Sequence, residues 1–453
     1  MSGAPEFAVE IYQNEYLSVG ATEVNSIITV TATGGAAQAG TAAPAGSTAE
    51  VIIVDCSGSM HVPSTKLSSA KQATAAAIDT LRDGVLFAVI AGTDEARLVY
   101  PYRHDLEVAN AQTRAEAKQA VTKLQANGGT AIGKWLRLAD SVFATRTSSM
   151  RHAILLTDGQ NMHETPRQLT RTIEAVTGHF VCDCRGVGTD WEVKELRTIA
   201  DTLLGTVDIV AEPEGLEADF RAMAAQAMDK AVADVSLRLW TPQGATIKFV
   251  KQVEPTLSDL TSRRTEVPPR SGDYPTGSWG SETRDYHVCV QVPAAATGEK
   301  MLAGRVSLVL PGADGSETVV GKGNILAVWT DDTALSTRIN REVAHYTGQA
   351  ELADAIQEGL EARKAGDVET ATAKLGRAVK LATETGHSDT AKLLAKVVDV
   401  EDAKTGTVRL KRKVAAVDEM TLDTRSSKTM RVRKKSADSA DGTADAAGSA
   451  DES

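Results

Sequence analysis

Short apolar segments alternate with amphipathic stretches from about residue 50 to residue 231. The segments VIIVD, VLFAVIAG, HAILLTDG, FVCDCRGVG and TVDIVA are typical of strands. Between them apolar residues recur at helical spacing, as they do from Leu67 to Leu81. This alternation predicts βαβ units and an α/β, doubly wound, Rossmann-like domain. Near-continuous apolar strands such as VIIV predict a parallel sheet with helices on both faces.

Period-two alternation replaces the helical pattern on both sides of this unit. Residues 7–33 are typical of strands, and so are VSLRLW, ATIKFVKQV, DYHVCVQV, RVSLVL and NILAVWT within residues 235–330. The N-terminal strands have no core of their own. We therefore predict that they join the later strands in a β-sandwich, with the α/β domain inserted between. The Gly/Ala/Pro-rich stretch before residue 49 is typical of a linker.

Helical periodicity returns from about residue 333 to residue 400. Breaks at Gly366-Asp367 and Gly386 predict an α-helical hairpin domain, similar in a degenerate form to tetratricopeptide repeats. After Glu401 the periodicity fades, which predicts a disordered tail. The predicted domains are residues 1–48 (strands of the sandwich plus linker), 49–232 (α/β), 233–331 (β-sandwich), 332–402 (helical) and 403–453 (tail).

Composition and charge narrow the class of protein. The 453 residues are 42 % hydrophobic and carry a net charge of −11, with only four cysteines. No apolar run has the length of a membrane span, and the first residues resemble no cleaved signal, so we expect a cytoplasmic protein without a membrane partner. Residues 404–435 contain eleven basic and three acidic residues, and an acidic segment follows. No aromatic residues interleave the basic ones, which makes a nucleic-acid partner the weaker interpretation.

One motif carries candidate chemistry. Asp55, Ser57 and Ser59 form a D-x-S-x-S pattern where the first apolar strand ends. Ligands of open α/β sheets bind at this edge. Alternate residues of an extended segment face the same way, so one acid and two hydroxyls can converge. These hard oxygen donors suit Mg²⁺ or Mn²⁺.

This pattern resembles the von Willebrand factor type A (vWA) family and its metal-ion-dependent adhesion site. The resemblance covers residues 50–232 with all alternating elements in order. In that family a threonine from a later loop completes the site, and NGGTAIGKWL offers Thr130. An aspartate after the next strand supplies the outer shell, and LLTDGQN offers Asp158. A helix cap with an ordinary turn threonine is the alternative interpretation.

The resemblance also implies the role of each residue. Ser57, Ser59 and Thr130 would contact the cation directly, whereas Asp55 and Asp158 would act through waters or hydrogen bonds. The expected ion is Mg²⁺, with Mn²⁺ or Ca²⁺ as alternatives. A sixth position would accept an Asp or Glu carboxylate from a protein partner, because a cation held mainly by neutral hydroxyls keeps excess positive charge.

Two catalytic motifs are nearly matched. GGTAIGKW resembles a phosphate-binding loop, but Trp135 replaces the required Ser or Thr, so we assign it to the threonine loop of the metal site. No histidine is placed to activate Ser57 or Ser59 as a nucleophile. The chain is therefore predicted to be a non-enzymatic, metal-dependent protein-interaction module.

The composition resembles that of a high-GC bacterium, and cytosolic bacterial members of the family suggest a regulatory or scaffold protein. One alternative is a subunit that works with a AAA+ ATPase, as in a metal chelatase. An enzyme of Mg²⁺-dependent phosphoryl transfer ranks last, since no nucleophilic Asp pair or lysine cradle is present.

Three threonines lie in the basic segment DEMTLDTRSSKTMRVRKK. We predict Thr421, Thr424 and Thr429 as candidate sites for a Ser/Thr kinase. The segment resembles motifs read by forkhead-associated (FHA) domains, and Thr429 fits best because Val432 stands three positions on. The alternative is a solvated tail whose threonines have no role.

Overall fold

The described part of the chain comprises residues 5–34, 46–312 and 316–431 of a computed structural model. It begins with three strands, β1 (Glu6–Gln13), β2 (Tyr16–Ser18) and β3 (Glu23–Thr33). No helix in these ranges is long and apolar enough to cross a membrane.

An α/β unit follows these strands. Its elements are β4 (Thr48–Asp55), α1 (Thr65–Thr80), β5 (Leu86–Gly92), β6 (Ala96–Tyr100), β7 (Glu107–Val108), α2 (Ala111–Thr122), α3 (Ile132–Phe143), β8 (Met150–Thr157), α4 (Pro166–Val176), β9 (Val181–Val187), α5 (Val193–Thr202), β10 (Val207–Val210) and α6 (Leu216–Met228). The sheet order is β10-β9-β8-β4-β5-β6, with β7 paired to β5. All pairs from β10 to β5 are parallel, and only β6 and β7 are antiparallel. The α/β expectation is confirmed.

Strand β4 lies at the centre of this sheet and is buried along its whole length. Ile52 and Val54 face a core shared with residues of α1, α2 and α6. Val51 and Ile53 face the opposite core, which α3, α4 and α5 cover. Successive side chains of a strand point to opposite faces, so VIIV must be apolar throughout. Two-sided burial makes the end of β4 a rigid support for the residues that follow.

A buried charge cluster joins three neighbouring strands of the sheet. His152 on β8 lies 2.9 Å from both carboxylate oxygens of Glu50 on β4 and 3.0 Å from Oδ2 of Asp183 on β9. Burial alone would lower the pKa of His152, but the two carboxylates raise it to about 10. The protonated imidazole therefore links β4, β8 and β9 by charge as well as by backbone pairing.

Two further sheets are built from the N-terminal strands and from a second run of strands. That run comprises β11 (Ser236–Trp240), β12 (Thr246–Glu254), β13 (Ser258–Asp259), β14 (Thr265–Val267), β15 (Ser271–Pro275), β16 (Glu282–Gln291), β17 (Lys300–Pro311) and β18 (Glu317–Thr330). The sheet orders are β1-β3-β16-β12-β13 and β14-β15-β11-β17-β18-β2. One apolar core contains residues of both sheets, among them Ile28 of β3, Tyr286 of β16 and Leu237 of β11.

The C-terminal region is mainly helical. It contains α7 (Thr333–Ser336), α8 (Arg341–Lys364), α9 (Val368–Glu384), α10 (Ser388–Val397), β19 (Val398–Asp402), β20 (Thr407–Leu410) and α11 (Ala416–Arg425). The breaks after α8 and α9 fall at Gly366 and Gly386, both of which have positive φ. Helices α8 and α9 approach closely at Gly359, where an added Cβ would lie 2.8 Å from Leu375.

The disordered tail expected from residue 403 onward is corrected for residues 403–431. These residues form β20 and α11, and Leu422 is only 1 % exposed. Acidic groups of the body pair with the basic residues here: Asp208 accepts from Arg425 at 3.1 Å and from Lys428 at 2.5 Å. Apolar contacts hold this segment as well, since Leu422 belongs to the core of the helical region and Val417 and Met420 pack against the α/β core. Residues 432–453 lie outside the described residues.

Candidate metal site

The candidate site begins where β4 ends. The Asp55 carboxylate is fully buried and accepts two hydrogen bonds. The backbone amide of Ser57 donates to Oδ1 at 2.7 Å, and the Thr157 hydroxyl donates to Oδ2 at 2.6 Å. Thr157 is the last residue of β8, the strand beside β4. Asp55 therefore fixes both its own loop and the end of the neighbouring strand.

A chain of side-chain hydrogen bonds joins the motif to Asp158. The two hydroxyl oxygens of Ser57 and Ser59 lie 2.9 Å apart, and the Ser59 hydroxyl donates to Oδ1 of Asp158 at 2.7 Å. Asp158 is fully buried. Parallel strands end at the same edge of the sheet, which is why the loops after β4 and β8 meet here.

Thr130 reaches the same point from the loop before α3. An added Cβ on Gly159 would lie 3.2 Å from Oγ of Ser59 and 3.3 Å from Oγ1 of Thr130. Both hydroxyls therefore border the space that glycine leaves open at position 159. The Thr130 amide donates to Nδ1 of His163 at 3.2 Å, which fastens this loop to the one after β8. The structure brings all five sequence-predicted residues together at one edge.

The backbone of the motif is held on two sides. The Cys56 amide donates to the Gly92 carbonyl at 2.7 Å, and the Gly58 amide donates to the Gly128 carbonyl at 2.9 Å. Gly128 has a φ of +77°, a region that favours glycine. These two hydrogen bonds join the serine loop to the end of β5 and to the threonine loop. They therefore fix the backbone that carries the Ser57 and Ser59 hydroxyls.

The electrostatics of the cluster are those of buried acids. Burial raises the pKa of Asp55 to about 6, although the hydrogen bonds from Ser57 and Thr157 lower it. A carboxylate removed from water without a cation loses solvation, and a nearby positive charge would restore the ionised form. The donor set consists of three hydroxyls and two carboxylates, which are oxygen donors suited to a hard divalent ion. Within the described ranges, no group of three or more His, Cys, Asp and Glu side chains is arranged to hold a metal ion, so the hydroxyls are essential to this donor set.

Sequence analysis did not find two residues of the cluster, Thr157 and Lys66. Thr157 stands directly before Asp158, and its position at a strand end is the only local signal. Lys66, in the first turn of α1, places its ammonium 2.7 Å from Oδ2 of Asp158. Burial alone would lower the pKa of Lys66, but Asp158 and Asp190 raise it above its ordinary value. No spacing rule links a lysine to an acid so far along the chain.

The resemblance of GGTAIGKW to a phosphate loop is resolved at the start of α3. The Gly133 amide donates to Oε2 of Glu164 at 2.6 Å, so a carboxylate already caps this helix. Lys134 pairs with Glu95 at 2.5 Å. The residues that would hold a phosphate are engaged with acidic side chains of the protein.

The three tail threonines lie on a segment separate from this cluster. Thr421 on α11 donates to the Val417 carbonyl at 2.6 Å, and Thr424 is only 1 % exposed. Thr429 donates to Oε2 of Glu254 on β12 at 2.7 Å. The predicted mobile segment is therefore corrected: all three threonines belong to folded chain, and Thr424 is inaccessible there.

With the geometry established, comparison with known proteins identifies the class. The von Willebrand factor type A domain model matches residues 49–209, and the von Willebrand factor type A C-terminal domain model matches residues 380–426. A solved von Willebrand factor type A protein from Catenulispora acidiphila is 56 % identical. That match covers 95 % of this chain and 98 % of the other, with a TM-score of 0.90. The chain belongs to the von Willebrand factor type A family.

Two further matches extend the comparison. The ArnB paralog VWA2 from Sulfolobus acidocaldarius is 14 % identical, with a TM-score of 0.55 over 92 % of this chain and 97 % of that one, and shows a shared fold. An uncharacterized protein of Synechocystis sp. is 30 % identical over 217 residues, which are 46 % of this chain. The chain spans about half the length of that curated relative, 49 %. Domains of this family are typically metal-dependent protein-interaction modules and mostly not enzymes.

Proposed function

We propose that this chain is a non-enzymatic protein-interaction module that grips a partner through Mg²⁺. Asp55, Ser57, Ser59, Thr130 and Asp158 would hold the ion. The observation that carries the proposal is the convergence of three hydroxyls and two buried carboxylates at one edge of the sheet. Family membership supports it, since type A domains typically mediate metal-dependent interactions.

Each residue of the candidate site has a distinct role in this proposal. Bound Mg²⁺ would supply positive charge and an open position for a partner's Asp or Glu carboxylate. Asp55 orients the serine loop by accepting from the Ser57 amide and holds the Thr157 hydroxyl. Asp158 orients the Ser59 hydroxyl. Because the hydroxyls are neutral, the loaded site keeps the charge that attracts an acidic partner.

The remaining regions fit a supporting role. We propose that the strands 7–33 and 235–330 form a sandwich into which the type A domain is inserted, and that the helical region recruits further proteins. A cytosolic bacterial regulatory or scaffold protein is the setting that suits such a module. The ordered contacts of α11 with Asp208 and Arg197 support a fixed arrangement of the parts.

The metal and the partner can be tested directly. Calorimetric titration of the purified protein with MgCl₂, MnCl₂ and CaCl₂ is expected to show one divalent site. Capture of native cytosolic proteins on the immobilised chain is expected to yield a partner in MgCl₂ and to lose it in EDTA. Absence of any divalent binding would refute the proposal, and equal capture in EDTA would refute the role of the metal.

A phosphothreonine role for the C-terminal segment is a separate part of the proposal. Thr429 is the best candidate, because phosphate there would face the Glu254 carboxylate that now accepts its hydroxyl. Like charges at this distance repel, so modification is expected to detach residues 426–431 and expose them to an FHA domain. The Thr429→Glu variant should be cut faster by trypsin after Lys428 than the native chain.

The matched control for this prediction is Thr405→Glu, which adds the same charge at an exposed turn. It should leave cleavage after Lys428 unchanged. An FHA protein from the same cell should bind the phosphorylated 415–435 peptide and not the unmodified one. Mass spectrometry that finds Thr421, Thr424 and Thr429 unmodified under every growth condition would contradict the idea.

A further inference from the structure

A lysine sits inside the candidate metal site. The ammonium of Lys66 lies 2.7 Å from Oδ2 of Asp158 and 3.4 Å from Oδ2 of Asp190. The Lys66 side chain is 7 % exposed and that of Asp158 is fully buried, whereas that of Asp190 is 69 % exposed. The strong partner of Lys66 is therefore Asp158, one of the five residues assigned to the ion.

This contact completes the bonding of Asp158. Its Oδ1 accepts from the Ser59 hydroxyl and its Oδ2 accepts from Lys66, so both oxygens are engaged. A buried lysine is rare unless it is paired, and here the pair is internal to the cluster. The charges of Asp55, Asp158 and Lys66 leave the cluster with one net negative charge when all three are ionised.

We propose that Lys66 is a built-in monovalent cation that balances Asp158 before the divalent ion arrives and weakens the binding of that ion. This inference rests on the proposed function. A divalent ion held near Asp158 is repelled by the ammonium beside it, and the repulsion is strong because the cluster is removed from water. With the ion bound, the same three side chains and the ion carry one net positive charge. Lys66 thus lowers the affinity for the ion and strengthens the attraction for a partner's carboxylate.

A second consequence concerns coupling between the ion and the partner. A carboxylate that arrives at the loaded site cancels the excess positive charge to which Lys66 contributes. Binding of ion and carboxylate should therefore reinforce each other, and linkage makes that effect reciprocal. Lys66 is a positioning and charge-setting residue in this scheme, with no direct bond to the partner.

The test removes the charge and leaves the rest of the site in place. Calorimetric titration with MnCl₂ is done on the full chain, on Lys66→Met and on Lys66→Gln, which can still donate to Asp158. Both variants are expected to bind Mn²⁺ roughly tenfold tighter or more than the native chain. Lys71→Met is the matched control: Lys71 lies on the same helix but donates to the Thr122 carbonyl at 3.0 Å instead of to a residue of the site. It should change the affinity by less than about twofold.

Thermal unfolding supplies a second readout that does not depend on a partner. Without metal, loss of Lys66 leaves Asp158 uncompensated, so the variants should melt below the native chain. Saturating MnCl₂ should raise their melting temperature by more than it raises that of the native chain, because ligand stabilisation grows with affinity. If Lys66→Met fails to fold without metal, Lys66→Gln carries the test.

The outcomes separate the inference from the proposed function. Native and variant chains with equal Mn²⁺ affinity, or variants that bind more weakly, would overturn the role of Lys66 and leave the metal site standing. No binding by any of the proteins would overturn both. Binding by the variants alone would support Lys66 as a cation that excludes the metal and would refute metal-dependent function for the native chain.

Discussion

Replacing Asp55 with alanine is expected to abolish binding of Mg²⁺ or Mn²⁺, and with it the metal-dependent binding of a partner. The substitution removes the carboxylate that holds the Ser57 amide and the Thr157 hydroxyl. Ser57→Ala, which removes a direct ligand, should have the same effect. The fold should survive the loss of the two hydrogen bonds, because the substitution also removes a buried charge that is costly to keep out of water. That cost is seen in the pKa of Asp55, which burial raises to about 6.

The measurement is calorimetric titration with MgCl₂ at neutral pH, with circular dichroism to establish folding. Ser68→Ala is the matched control, since Ser68 is a serine of α1 whose hydroxyl donates only to the Thr65 carbonyl of its own helix. It should bind the ion as the native chain does. Unchanged Mg²⁺ affinity in a folded Asp55→Ala protein would refute the site assignment.

Deletion of residues 1–33 should destabilise residues 235–330 far more than the type A domain. Strand β3 lies between β1 and β16, and its residues Val24 and Ile28 are fully buried. Their removal exposes the edge of β16 and opens the apolar core that the two sheets share. Limited proteolysis followed by mass spectrometry should find the first cuts within 235–330 and the last within the type A domain.

A point substitution tests the contribution of β3 to this core without truncating the chain. Ile28→Ala is expected to lower the free energy of unfolding by about 2–5 kcal/mol in urea, the usual cost of emptying a packed aliphatic site. Thr31→Ala on the same strand is the control, because Thr31 is only half-buried. If residues 235–330 resist proteolysis equally well without residues 1–33, the N-terminal strands are not part of their fold.

Hydrophobic periodicity was sufficient to predict the α/β unit. VIIV at β4 is apolar throughout because both faces of the strand meet helices, and this pattern is visible in the chain itself. The same periodicity did not predict the structure of the C-terminal segment. The contacts of α11 include pairs such as Arg197 with Asp423 and Arg363 with Glu419, whose partners lie far apart in sequence. Charged residues look alike in a solvated tail and in a docked helix, so periodicity predicted the former.

The candidate site likewise combines residues that the sequence predicted with contacts that only the structure shows. The amino-acid sequence alone predicted that Asp55, Ser57 and Ser59 converge after a buried strand, on the premise of alternation within an extended segment. The structure brings them together in another way, because Ser59 lies in a short 3-10 helix, Gly58–His61. Resemblance to a family added Thr130 and Asp158. Only the tertiary structure decided that Thr157 bonds Asp55 across 102 residues and that Lys66 neutralises Asp158 across 92. These contacts depend on which strand ends and helix starts meet at one edge of the sheet, and that meeting is a property of the folded chain.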